Sequence, residues 1–494
     1  MIISKTEYLM FLKHPAWLWL KKHDKNKLPV VDDNTQAVFD AGHMFEKYAE
    51  SLFPGIVTVG FEGFDEYASM PARTKKALDQ GAKIISQGRF ESGNITCICD
   101  ILVKISANTF DLYEVKSSTK VKPEHESDLA FQMVVLEACG YKVNKIAVIH
   151  VNNAYMRNGE VKANQITITT DVTEAVKEKR EETKENIARA LEVISSKTIP
   201  DISPKHAKGE GFSDWLDIYR NLVKIEPESI YDLFMVNAEK IGKLEELKIE
   251  KLIDIHDDFP LSDKQRHQVL ATKSGKETID MTSIKKFLKN LDYPLYFLDY
   301  ETLSSVVPYF DGMTPYQQIP FQYSLHVLDK PDGELKHFMY LHKENSNPAK
   351  ALSKSLKASI GTKGTVLVWN ESFEKNCNKA MANLLPEYAE FYEDLNERID
   401  DLMIPFSSNW YVHKDFGGSA SIKKVLPVLV TELSYLELGI HDGASAQRLW
   451  MEAVLDGKRD GEKEKILADL EEYCKLDTLA MVEIYKQLFN LKHE

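Results

Sequence analysis

Apolar residues recur along this chain with two different periods. Residues 6–21 carry the spacing of an amphipathic helix, and Phe45, Tyr48, Ala49 and Leu52 repeat at helical intervals within a predicted helix over 37–52. The period then shortens to that of strands. Residues 95–105 and 109–115 are β-rich runs joined by Ser106, Ala107 and Asn108, which suit a hairpin turn. A helix over 128–139, stopped by Gly140, and a strand over 145–151 follow. Helix, strands, helix and strand in that order predict an α/β layer.

Beyond it, residues 171–196 alternate acidic and basic side chains at i,i+4 spacing, the pattern of one solvated helix. Residues 205–290 show no strand pattern and predict a small helical connector, whose stretch 241–255 suits plain helical packing. Strand patterns return near Tyr293 with PLYFLDYET and continue at 321–328, 337–341 and 365–368, with a helix between the last two. A long helix, 463–491, closes the chain. The predicted organisation is therefore an α/β domain over 1–204, a helical connector over 205–290 and a second α/β domain over 291–494.

Composition narrows the class. At 494 residues the chain exceeds one ordinary core, and 43% hydrophobic with 28% charged residues excludes wholesale disorder or a fibrous chain. Sixty-two Lys and Arg against 76 Asp and Glu leave a net charge of −14, so duplex nucleic acid is not held by bulk charge and would need local basic stripes. The five cysteines, at 97, 99, 139, 377 and 474, contain no CxxC pair, which argues against a disulfide framework or structural zinc and for a reducing compartment. No stretch approaches the ~20 apolar residues of a membrane span, and the expectation is a cytoplasmic protein with no membrane partner.

The first chemical constellation lies in CICDILVK and DLYEVKSS. Glu114 and Lys116, two apart on a strand, share a face, and hairpin pairing would bring Asp100 beside them. Two crowded carboxylates call for a hard cation such as magnesium, and the ammonium would stabilise charge developing in phosphodiester hydrolysis. A solvent-facing ladder on a hairpin produces the same residues. Context adds Glu46, four residues after Gly42 on the preceding helix, and Gln132 within EHESDLAFQMVVLEACGY on the following one. With these, the region resembles the PD-(D/E)XK nucleases of the RecB type. The resemblance implies that Glu46, Asp100 and Glu114 are metal ligands, that Lys116 is the catalytic lysine, and that Gln132 positions the site or a phosphate. Several members of that group hold an iron–sulfur cluster through one early Cys and three later ones. Here His14 stands in KHPAWLWL and SPKHAKGEGFSDWLDIYR has no cysteine, so no cluster is expected.

The second constellation begins in LYFLDYET, where an apolar strand delivers Asp299 and Glu301 to one face. Uncompensated carboxylates are costly on a buried strand, although an edge strand facing water would carry them freely. EEYCKLDTLAM sets Tyr473 and Asp477 four apart on one helix face, and VLVWNESFEKN runs a strand into a helix bearing Phe373 and Glu374. In this order the three motifs resemble the DnaQ-like exonucleases of the DEDD type, Tyr subclass, which have an RNase H-like fold. By that resemblance Asp299, Glu301 and Asp477 hold two Mg²⁺ or Mn²⁺ ions, Tyr473 orients or helps deprotonate the water, and Glu374 stands where most of the group have Asp. In GGSASIKKVLP, Ser421 at a helix start with Lys423 and Lys424 would contact phosphate, as an ordinary capped helix also would look, and Lys120 and Lys122 would line a groove. Trp369, Trp410 and Tyr411 are candidates for base stacking or, more commonly, core packing.

Taken whole, the chain resembles a poorly characterised bacterial family that fuses a RecB-like nuclease domain to a DnaQ-like exonuclease domain. The resemblance implies a metal-dependent nuclease with a PD-(D/E)XK site and a 3′ to 5′ exonuclease site, with DNA favoured over RNA. The alternative is a nucleic-acid clamp or scaffold in which one or both folds have lost turnover.

Overall fold

The computed structural model describes residues 1–435 and 438–491. The chain divides into two compact units, Met1–Ile225 with Asn237–Lys243, and Glu226–Val236 with Leu244–Glu494. Residues 205–290, expected as a separate connector, are therefore shared between the two units. The physical reason is visible at Trp215, which is fully buried with Ala16, Leu20 and Ile218 and so belongs to the core of the first unit. Both units mix helices with sheets, as the α/β pattern requires.

In unit 1 the described residues form a seven-stranded sheet. Its strands are β1 (Ile3–Ser4), β2 (Val57–Thr58), β3 (Ile84–Ser92), β4 (Ile95–Ser106), β5 (Thr109–Lys116), β6 (Lys142–Val151) and β7 (Thr167–Asp171). The order is β2-β3-β4-β5-β6-β7, with β1 paired in parallel to the start of β4. Strands β3, β4 and β5 form an antiparallel meander, whereas β5 and β6 run parallel.

The helices that shape this unit's site are α1 (Lys5–Lys13), α2 (Pro15–His23), α3 (Asp33–Ser51), α4 (Phe64–Asp79) and α5 (Pro123–Ala138). Residues 6–21, expected as one amphipathic run, are two helices broken at His14, which is extended (φ −161°, ψ 128°). Pro15 is the cause: it disfavours helical backbone in the residue before it and suits the first position of a new helix. Helix α5 begins earlier than the periodicity suggested because Pro123 opens it, and Leu129 to Leu136 are buried all round. The segment 171–196 is two helices, Thr173–Glu178 and Arg180–Ser195, and it is not solvated on every face. Thr183, Ile187, Ala190 and Ile194 form a buried stripe that the charge pattern on the other faces concealed.

Unit 2 contains β8 (Thr278–Ile279), β9 (Leu295–Leu303), β10 (Ile319–Leu328), β11 (Leu335–Leu341), β12 (Val366–Val368), β13 (Ile399–Asp401) and β14 (Tyr411–Val412). The described residues give a five-stranded sheet in the order β11-β10-β9-β12-β13 and a separate β8–β14 pair. Strand β9 has an antiparallel neighbour in β10 and a parallel one in β12. Every residue of β10 is buried, as expected of a strand covered on both faces. Leu295 and Phe297 pack into a core with Met481, Tyr485 and Leu488 of the closing helix Lys463–Leu491. Leu298 and Tyr300, on the opposite face, join the cluster containing Trp450 and Leu352.

Candidate functional site

Alternation along β9 turns Asp299 and Glu301 to the same side as Leu295 and Phe297, the side that the closing helix covers. That helix brings Asp477 to them from the far end of the chain. Donor oxygens of Asp299, Glu301 and Asp477 lie within 4.8 Å of one another, the one such group of potential metal-holding side chains found among the described residues. Glu301 is 6% exposed and Asp477 8%. Burial, and then the charges of its neighbours, push the Asp299 and Glu301 carboxyls well above the ordinary range. Asp477 is pushed up to about 6 by burial, opposed by its tyrosine partner Tyr435, by Lys423 and by Tyr473.

Glu374, in the first turn of the helix Glu371–Leu384, is 2% exposed, and its Oε2 has no hydrogen-bond partner. Burial first, and then the charge of Asp299, raise its pKa. A crowded triad of carboxylates, two of them buried, with the buried Glu374 and its orphaned oxygen repelled by Asp299, is what a divalent cation with oxygen ligands compensates. The residues present thus fit Mg²⁺ or Mn²⁺.

This electrostatic crowding has a consequence for stability. A carboxyl whose pKa is raised on folding favours the folded state below its unfolded pKa of about 4, and that contribution is lost as pH rises through the folded value. For Asp477 that loss runs from about pH 4 to its folded value of about 6. In the presence of a chelator the melting temperature should fall between about pH 4 and pH 8, and Mn²⁺ should raise it more at pH 8 than at pH 5. An equal Mn²⁺ effect at both values would show that these acids are not the ion's ligands.

Several neighbours carried no sequence signal. Tyr435, in a loop, donates its phenol to Asp477 Oδ1 at 2.6 Å. Cys474 Sγ lies 3.7 Å from Asp299 Oδ2. Asp401 accepts from the backbone N–H groups of Asn370 (3.2 Å) and Glu371 (3.1 Å), anchoring the start of the helix that carries Glu374. The Lys423 ammonium donates to the His441 carbonyl and sits 5.7 Å from the Tyr435 ring and 5.6 Å from the Tyr473 ring. Ser421 precedes the helix Ile422–Leu429 without a side-chain cap, and Lys424 is exposed. The aromatic candidates pack inward: Trp369 donates its indole N–H to the Ala420 carbonyl at 3.0 Å, and Trp410 and Tyr411 belong to the core around the closing helix.

Unit 1 gathers Asp100, Glu114, Lys116 and Gln132 as well, and adds Lys5 and Asp128. The Lys116 ammonium donates to Glu114 Oε1 (2.7 Å) and Asp128 Oδ2 (2.9 Å). Lys5 donates to the same Glu114 Oε1 at 2.8 Å. The Gln132 amide donates to Glu114 Oε2 (2.7 Å) and Asp128 Oδ1 (2.9 Å), while its buried oxygen has no partner. Asp100 Oδ2 accepts the Val115 N–H at 2.8 Å. Burial and the Glu114 charge push Asp100 up to about 7. Glu114 is itself held well below the ordinary range, because Lys116 and Lys5 outweigh its burial. Glu46, on α3, is half-buried with its pKa raised by burial, and it feels the charges of Glu114 and Lys5.

An ion at the unit 1 centre would meet a Glu114 whose Oε1 already accepts from two ammonium groups and whose Oε2 accepts from the Gln132 amide, so little of its acceptor capacity is open. Lys122 lies 3.5 Å from Glu210 and 3.8 Å from Glu124, whereas Lys120 is exposed. His14 caps α2 by accepting the Ala16 N–H at its Nδ1, and its ring stacks on Trp215 at 3.9 Å. Its Nε2 lies 3.1 Å from the Ser203 carbonyl, and burial lowers its pKa to about 4.

The model of a domain of unknown function, DUF2779, matches residues 296–421, a stretch that holds Asp299, Glu301, Glu374 and the helix start at Ser421. It stops short of Tyr473 and Asp477. The chain is 29% identical over 208 residues to the uncharacterized protein MG366 of Mycoplasma genitalium, covering 38% of this chain and 31% of the relative. It is 24% identical over 233 residues to the uncharacterized protein UU173 of Ureaplasma parvum serovar 3, covering 43% and 33%. This chain is thus similar, over about a third of the length of these curated relatives, to proteins whose names state no function.

Proposed function

We propose that the protein is a metal-dependent nuclease, with DNA favoured as substrate, in which unit 2 is an RNase H-like 3′ to 5′ exonuclease of the DEDD type and unit 1 a PD-(D/E)XK nuclease. The observation that carries this reading is the meeting of Asp299 and Glu301 of β9 with Asp477 of the closing helix, far apart in sequence. Those three side chains would hold two divalent ions, whose charge would lower the pKa of an attacking water and offset that of a departing 3′ oxygen. Tyr435 keeps Asp477 in place as a carboxylate through its 2.6 Å hydrogen bond. Tyr473 lies beside the same carboxylate and would orient the water, and Glu374 would accept its proton through the oxygen that has no partner. Lys423, with Ser421 and Lys424 at the same helix start, would contact the phosphate backbone.

In unit 1, Asp100, Glu114 and Glu46 would be the ion-holding acids. Lys116, held between Glu114 and Asp128, would stabilise the charge on the phosphate, and Gln132 orients both acids. Lys120 and Lys122, just past the end of β5, would meet the substrate backbone.

Purified protein with Mg²⁺ or Mn²⁺, given end-labelled single-stranded and duplex DNA and RNA, tests the reading. Shortening from 3′ ends is expected, together with internal or end-directed cutting by unit 1. No product on any substrate would remove the enzymatic claim. Lys116→Ala should abolish the unit 1 products and leave 3′ trimming intact; loss of both together would show that the two centres were misassigned.

A second reading, that unit 1 binds nucleic acid without turnover, is favoured by one observation: both Glu114 oxygens are engaged by Lys5, Lys116 and Gln132. It expects retention of DNA at low salt, with no unit 1 product, by protein whose Asp299 and Asp477 are replaced by Asn.

A further inference from the structure

Lys5 sits where neither motif put a residue. Strand β1 pairs Ile3 and Ser4 with Ile95 and Thr96 of β4, the strand that carries Asp100. Ser4 then caps α1, its N–H donating to Glu7 Oε2 at 2.9 Å and its hydroxyl accepting the Glu7 N–H at 3.4 Å. Glu7 is in turn ion-paired to Lys22 at 2.6 Å. The backbone of Lys5 is therefore fixed on both sides by a sheet pairing and a capping box, so its side chain starts from a defined point.

From there the ammonium reaches 2.8 Å from Glu114 Oε1 and 3.7 Å from Asp128 Oδ1. The Lys5 side chain is 20% exposed, and those of Glu114 and Asp128 are each 1% exposed. A second ammonium, that of Lys116, is on the same Glu114 oxygen at 2.7 Å. Two cations on one carboxylate oxygen repel each other, and the arrangement persists because Asp128 and Asp100 share the charge.

We propose that Lys5 is the resident counter-ion of the unit 1 centre: paired to Glu114 and Asp128, it holds at Glu114 the place a divalent cation would take, and an ion enters by displacing it. The proposal rests on reading unit 1 as a metal-dependent nuclease centre and adds what sets its ion affinity. Repulsion gives the reason. An ion brought to Glu114 meets two ammonium groups on the same oxygen, Lys5 at 2.8 Å and Lys116 at 2.7 Å. Withdrawing Lys5 removes one of these like charges and frees a lone pair of Oε1, while Lys116 keeps its place beside Glu114 and Asp128. Lys5 is thus a positioning residue that acts through Glu114 and makes unit 1 a weaker ion site than unit 2, where no ammonium is bonded to the carboxylate triad among the described contacts.

The test uses the full chain with Asp299→Asn and Asp477→Asn, which removes the other ion-holding group, and follows bound Mn²⁺ by the loss of the free-ion electron paramagnetic resonance signal. Lys5→Met, which keeps length and loses charge, should bind Mn²⁺ about tenfold more tightly or better than the Lys5 parent, while Lys5→Arg should stay close to the parent. If Lys5→Met does not fold, as judged by its melting curve, Lys5→Gln makes the same comparison while retaining a donor to Glu114. Equal or weaker affinity in the neutral variant overturns the displacement proposal and leaves the metal-centre reading standing. No Mn²⁺ bound by parent or variant overturns both.

Discussion

Asp477→Asn should lower 3′ trimming by about a thousandfold while leaving the fold intact and, in the absence of metal, more heat-stable than the parent. The two effects share one cause. Asn has the shape of Asp and can still accept the Tyr435 phenol, so packing around the closing helix is preserved. What it lacks is the charge that would hold a divalent ion beside Asp299 and Glu301, and loss of such transition-state stabilisation costs about a hundred- to a thousandfold or more. The same neutralisation removes one of the repelling carboxylates that burial and neighbouring charge already strain. The checks are the rate of shortening of a 3′-labelled oligonucleotide at saturating Mn²⁺, and the melting temperature with chelator at pH 8. A variant that trims normally would remove Asp477 from the chemistry. One that loses trimming and also melts lower would place it in the packing instead.

Trp450→Ala should destabilise the chain by roughly 3–5 kcal/mol, with a corresponding fall in denaturant midpoint. Trp450 is fully buried and stacks on Phe321 of β10 with ring centroids 4.3 Å apart and 10° between planes. Its indole N–H donates to the His342 carbonyl at 2.8 Å, and truncation would strand that acceptor as well as open a cavity. Trimming should fall with stability although Trp450 touches none of the acids. Phe321 adjoins Gln322, which is paired across the sheet with Glu301 and donates to the Leu470 carbonyl of the closing helix at 2.8 Å. Trp450→Phe should recover most of the stability and the trimming, because it restores the stacked ring. A midpoint unchanged in Trp450→Ala would show that this stack contributes little to unit 2.

Much of the second centre was legible because its cues are local. Two acids two residues apart on an apolar strand, and a Tyr and an Asp four apart on a helix, share faces by backbone geometry alone. Glu374 was legible as a residue just inside a helix that follows a strand, but not its burial or its orphaned oxygen. Tyr435 was not legible at all, since a lone Tyr in a loop has no period and no fixed spacing to Asp477. In the first centre the hairpin register brought Asp100 to Glu114 as expected, while Asp128 was passed over although it lies one helical turn before Gln132. Charged stretches misled where solvent exposure was assumed for every face, as at residues 171–196, whose apolar stripe is sparse but buried.

The order of residues alone determined the alternation of strands and helices, the faces on which Asp299, Glu301, Glu114 and Lys116 project, and the break imposed by Pro15, because each follows from steric and hydrogen-bonding preferences within a few residues. Which groups meet across long stretches of chain was decided only by the tertiary structure: Asp477 against Asp299, Tyr435 on Asp477, and Lys5 on Glu114. Those meetings depend on how sheet register and helix packing bury the core within each unit, and no local period encodes the distance between side chains that are far apart in sequence.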